Sequence, residues 1–162
     1  MRVRSLLMAA CVSASLAALP VQTQAQSTIC NAALVGTWLT TIQNGAGDYA
    51  SRSLLTLHAD GTMVSADSAQ HQGLQGSSFS AQHGAWRCST DASAAATTMN
   101  FGFPTRESIA RSDWTLAHDG KALKGTIDLH IFPGVKGVDP FRADSKPVET
   151  YRFTAQRVSA PN

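Results

Sequence analysis

The feature that most narrows the folds open to this chain is a succession of short stretches in which apolar and polar residues alternate. They begin at Gly36-Thr37-Trp38 and are separated by turn-forming residues. Alternation with period two marks strands that bury one face. Eight stretches are read, approximately Leu34–Ile42, Ser53–His58, Thr62–Ser68, Gly84–Ser89, Thr97–Phe103, Ile109–Ala117, Ala122–Phe132 and Glu149–Val158. No repeat, heptad or long helical period competes with them. Short strands at regular spacing predict an all-β sandwich or barrel. With no helix to cover it, a one-sided sheet must close on itself or fold into a sandwich. The strand count and simple meander favour an all-β, eight-stranded antiparallel up-and-down barrel.

Two turn signals set an expected register. Asp60-Gly61 and Asp119-Gly120 suit two-residue hairpin loops, because both residue types tolerate the positive φ of a type I′ turn. The first turn would pair Leu57 with Val64 and Leu55 with Ala66, leaving Leu54 and Met63 on the polar face. The second would pair Leu116 with Leu123, Trp114 with Gly125 and Ser112 with Ile127, with Trp114 covering Gly125. Arg111, Asp113, Asp128 and His130 then share an outer, solvent-facing side. Further inward candidates are Trp38, Ile42, Trp86, Met99, Phe101, Phe103, Tyr151 and Phe153.

In a meander, alternate links lie at opposite ends. The long links after the first, third and seventh strands therefore share one end with Pro104-Thr105-Arg106-Glu107. The tight hairpins share the other end with the chain's start and finish. The result is a barrel with a decorated mouth and a plain base, and loops are where function concentrates.

Arg2 and Arg4, an apolar run from Leu6 to Leu19 and the small residue Ala25 predict a cleavable signal peptide over 1–25. A single domain over 26–162 follows. The leader holds the whole formal +2 charge, so the remainder is balanced and its scattered bases point to no nucleic acid. No run is long enough for a membrane span. The expected compartment is periplasmic or secreted. There Cys30 and Cys88, the cysteines left after cleavage, most simply form a disulfide, with free thiols as the alternative.

With Gly36-Thr37-Trp38 opening the first strand and Arg157 near the end of the last, the chain resembles the lipocalin-like proteins of the calycin group. It also looks like small secreted bacterial barrels with segments such as Leu55-Thr56-Leu57-His58-Ala59-Asp60-Gly61-Thr62 and His83-Gly84-Ala85-Trp86. The resemblance implies that Trp38 sits at the closed base with Arg157 packed over it, a cation–π contact of ~1 kcal/mol. It also implies a binding role.

The inward aromatics suggest a cavity for a small hydrophobic molecule. Trp86, Met99, Phe101, Phe103, Trp114, Tyr151 and Phe153 would line it, with Arg106 at the rim. Other mouth candidates are Tyr49, His71, Phe79, His83, Glu107, Phe132 and Phe141. The alternative is that the aromatics fill the barrel. His83 and Glu107 are the groups able to serve as acid or base if the barrel instead holds a lipid-like substrate for a cyclase or isomerase reaction. No nucleophile motif, phosphate loop or metal-ligand spacing is present, and neither a cofactor nor a metal is expected. A third possibility is a protein-binding module, such as a hydrolase inhibitor, acting through the long links around Leu74, Phe79 and Phe141.

Overall fold

A computed structural model describes residues 28–70, 78–103, 108–119, 121–142 and 144–160. The leader, His71, Leu74, Arg106 and Glu107 lie outside them. The described residues form one short helix, α1 (Thr28–Leu34), and nine strands: β1 (Gly36–Gln43), β2 (Tyr49–Leu57), β3 (Thr62–Asp67), β4 (Ser78–Phe79), β5 (Gln82–Thr90), β6 (Ser93–Phe103), β7 (Ser108–His118), β8 (Ala122–Pro133) and β9 (Glu149–Arg157). Each long strand pairs antiparallel with its sequence neighbours, and β9 returns to β1. The ring β1-β2-β3-β5-β6-β7-β8-β9 closes, leaving no free edge. Closure, rather than a sandwich, is therefore how the apolar face is buried. The short β4 prolongs the line of β5, pairing Ser78 with Phe103 and Phe79 with Gly102. Ser80 and Ala81 separate the two pieces.

The base is built around Trp38, which is 1% exposed and donates its indole N–H to the Leu34 carbonyl at 2.9 Å. Helix α1 thus seals this end with Cys30 and Leu34. A disulfide joins Cys30 to Cys88 on β5. Arg157 lies opposite Trp38 in the β1–β9 ladder, with its guanidinium 4.3 Å from the ring centre. It also donates to the carbonyls of Val35 (2.7 Å) and Ala33. Gly36 makes room for this: its φ is +139°, and a Cβ there would sit 2.5 Å from an Arg157 nitrogen.

The register differs from expectation at both hairpins. Leu57 faces Met63 and Leu55 faces Ser65, one residue away from the anticipated pairing. The loop has three residues, 59–61: His58 bonds to Thr62 across it, and Gly61 takes the positive φ of +84°. Asp60 sets this geometry by accepting from both the backbone and the hydroxyl of Thr62. A one-residue slip exchanges faces, so Met63 belongs to the core and Val64 does not. In the second hairpin Leu116 faces Gly125 and Trp114 faces Ile127, a slip of two that preserves the faces. There Asp119 accepts from the amides of Lys121 and Ala122. Phe153, not Trp114, covers Gly125: a Cβ would lie 2.9 Å from its ring and 1.8 Å from the Thr115 carbonyl oxygen.

Strand β6 also departs from expectation. Its inward row is Ala94, Ala96, Thr98 and Asn100, so Met99 and Phe101 face outward, Phe101 being 51% exposed. Phe103 ends the same strand beside Ser78. The reason is steric. Ala96 sits in register between Trp86 on β5 and Trp114 on β7, and two flanking indoles leave room only for a methyl group.

Candidate ligand chamber in the mouth half of the barrel

The interior has two parts. The base half is apolar and closely filled by Trp38, Leu57, Met63, Trp86, Trp114, Leu116 and Phe153. Trp114 meets Phe153 edge to face with centroids 5.5 Å apart. Of the aromatics expected to line a cavity, Trp86, Trp114, Tyr151 and Phe153 face inward, the first two and Phe153 as part of this packed core.

Above Trp114 the inward residues become polar. Its indole N–H donates to Thr98 Oγ1 at 2.9 Å, and that hydroxyl donates onward to Gln82 Oε1 at 2.7 Å. Across the barrel, Thr40 and Ser53 share a 2.7 Å bond between hydroxyls. Ser51 donates to Asp67 Oδ2 at 2.9 Å, and the Ala69 amide donates to the other oxygen of that carboxylate at 2.7 Å. On β9 the Tyr151 hydroxyl donates to Glu149 Oε2 at 2.7 Å. Burial first, then the bonded Glu149 and the more distant Asp67 charge, raise the Tyr151 pKa well above the ordinary phenol value.

Two hydroxyls in this half stand out. Ser65 is 1% exposed and Ser112 is 3% exposed, both on inward rows. Both stand among the other polar groups of this half. Ser112 shares a rung with Leu129 and Glu149, and Ser65 precedes Asp67 by two on the same row. Ile42, Leu129 and Ile131 add apolar wall between the polar groups.

Outside the barrel lies a second cluster, beneath the β8–β9 link (134–148). Arg111 Nε is 3.0 Å from Asp113, and His130 Nε2 is 3.4 Å from the same oxygen. Thr97 donates to Asp113 at 2.8 Å. Arg111 reaches the link at the Pro140 carbonyl (2.6 Å) and Ser145 Oγ (3.0 Å). Asp128 and His130 are on the outer face as expected, but His130 is 6% exposed because the link covers it. Phe132 lies there too, between Arg111 and Arg142, and so does not reach the mouth. This arrangement anchors the link to the outer wall.

The remaining candidates do not converge. His83 is exposed on the outward row of β5, away from the interior. Tyr49 and Phe141 are each 63% exposed. Among the described residues no group of three His, Cys, Asp or Glu side chains is placed to hold a metal, and no helix is long and apolar enough to cross a membrane. A shallow groove of about 620 Å³ runs along the outer wall past Ala95, Thr115, Lys124 and Thr126.

No family model matches the chain, and a search of the curated proteins finds no match. Among solved structures, a redesigned β barrel matches over 83% of this chain and 100% of its own, at 14% identity and a TM-score of 0.46.

Sequence reasoning missed the polar chamber because Ser, Thr and Asn at alternate positions look like an outer face. Only the registers reveal that Thr98 and Ser112 share a level with Glu149.

Proposed function

We propose that the protein is an exported, lipocalin-like barrel that binds a small molecule in the mouth half, without catalysing a reaction on it. The observation that carries this reading is the change of the inward rows from apolar at the base to polar in the mouth half, where Thr40, Ser53, Ser65, Thr98 and Ser112 are all buried. The packed base shortens the cavity that a wholly apolar ligand would need. The ligand suited to the chamber is therefore amphipathic, its apolar body against Ile42, Leu129 and Ile131 and its head among the polar groups. The Cys30–Cys88 disulfide supports an oxidising compartment, and with it the reading of 1–25 as a signal peptide. The outward position of His83 weakens the cyclase or isomerase alternative.

The test is a titration of the processed protein with retinol, octanol, octylamine and octanoate, followed by tryptophan fluorescence and native mass spectrometry. Saturable one-to-one binding is expected with at least one probe, with the signal lost in Trp114→Phe. Silence of all four with folded protein would overturn the reading and move attention to protein partners of the long links.

A further inference from the structure

We infer that the shallow groove on the outer wall is a second binding site, for a small amphipathic anion whose oxyanion head sits between Lys124 and Arg152. The site is separate from the mouth chamber and does not depend on it. Two adjacent rungs of outward residues build it across β6, β7, β8 and β9. One runs Ala95, Thr115, Thr126 and Arg152, and the other Ser93, Ala117, Lys124 and Thr154. Small side chains at the centre of both rungs leave a hollow of about 620 Å³. That size suits a small molecule better than a protein segment.

The charge lining the groove has one sign. Lys124 and Arg152 are diagonal neighbours in the β8–β9 ladder, a relationship that sets Cβ atoms about 7 Å apart, so both long side chains can reach one anion. No carboxylate lines the groove. Arg111 and His130 stand beside Asp113, and Arg142 beside Asp144, but among the described residues neither Lys124 nor Arg152 forms an ion pair. Asp119 feels the Lys124 charge from the hairpin, and Asp128 accepts from the Thr150 hydroxyl further along β8, yet both lie outside the lining. Arg87, beyond Ala95 on the first rung, adds to the positive field without lining the groove. Two like charges side by side repel, and an oxyanion between them turns that repulsion into attraction on both sides.

The floor suits an apolar body. The hydroxyls of Thr115 and Thr126 are bonded to each other at 2.7 Å, and that of Ser93 to Thr90 at 2.7 Å. The centre of the groove therefore offers a ligand mainly methyl groups, with Ala95 and Ala117 beside them. Lys124 and Arg152 are both exposed, so their hold on an anion is modest and weakens with salt.

The experiment compares anilinonaphthalene sulfonate with its uncharged parent, phenylnaphthylamine, by fluorescence titration at low and high ionic strength. It is repeated on Lys124→Gln, Arg152→Gln and the double variant. Arg52→Gln, on the outward row of β2, serves as the control. Near-ultraviolet circular dichroism checks that the variants keep the native fold. At low salt the sulfonate is expected to bind about tenfold more tightly than the parent, and to lose most of that advantage at high salt. Each single substitution should weaken the sulfonate by about two- to fivefold and the double variant by about tenfold, with the parent changed by less than about twofold. Arg52→Gln should alter neither dye. Equal binding of the two dyes, a sulfonate affinity indifferent to salt, or a double variant that binds as the wild type does would overturn the site. An equal loss in Arg52→Gln would also overturn it, since the dye would then report the overall charge of the protein rather than this groove.

Discussion

Trp114 donates its indole N–H to the hydroxyl of Thr98 at 2.9 Å, and that bond marks the level where the barrel interior changes from apolar to polar. Below it, Trp114 packs edge-on to Phe153 and the space is filled. Above it, the Thr98 hydroxyl donates in turn to Gln82 Oε1 and the wall becomes hydroxyls, amides and two carboxylates. One side chain therefore roofs the core and floors the chamber.

The base should be intolerant of change at Gly36. Alanine would force a positive φ on a residue with a Cβ and push that Cβ against Arg157. A loss of ~1–3 kcal/mol is expected in urea unfolding of Gly36→Ala. Arg157→Ala, which removes the contact with Trp38 and two bonds to the end of α1, should cost a similar amount. Because the two residues meet, the double variant should cost less than the sum.

Strand β6 offers a direct test of which row faces in. Ala96→Leu would crowd Trp86 and Trp114 and should cost ~1–3 kcal/mol. Phe101→Ser on the outward row should change stability by less than about 0.5 kcal/mol. The reverse pattern in urea denaturation would restore the row expected from hydrophobicity alone.

Much of the architecture is legible in the sequence. The eight-stranded closed ring and the strand directions follow from alternation and turn residues, and the Trp38–Arg157 contact follows from the resemblance to lipocalin-like barrels. The parts that are not legible share a cause: they depend on partners distant in sequence. Met99 and Phe101 look like core residues until the tryptophans on β5 and β7 claim the space beside Ala96. His130 looks solvated until the link 134–148 folds over it. The first hairpin departs from a two-residue loop because Asp60 bonds to Thr62 and draws Ala59 into the loop, and one residue of slip exchanges Met63 with Val64. The chamber depends on which hydroxyl-bearing residues meet across β6, β7, β8 and β9, which only the registers show.

The hairpin carboxylates predict behaviour in acid. Asp60 is held below the ordinary carboxylate value of 3.8 first by the Thr62 hydroxyl and then by its amide, and Asp119 likewise by the amides of Ala122 and Lys121. A lowered folded-state pKa means the stabilisation is present above the unfolded value and is lost as pH falls through the folded one. The stability of the protein should therefore fall as pH drops below about 4. Asp60→Ala and Asp119→Ala should each flatten that fall while lowering stability at neutral pH. A wild-type acid limb that the two substitutions leave unchanged would contradict the role given to these turns.

The most direct test of the ligand chamber is a paired measurement on Ser65→Ala and Ser112→Ala: urea unfolding, and binding of octanol and octylamine by the same samples. If the hydroxyls are kept for a ligand, each substitution should leave stability unchanged or raise it by ~1–2 kcal/mol, while probe affinity falls several-fold. If instead each variant loses stability by that amount and binds the probes as the wild type does, the hydroxyls are structural and the mouth half is not a binding site.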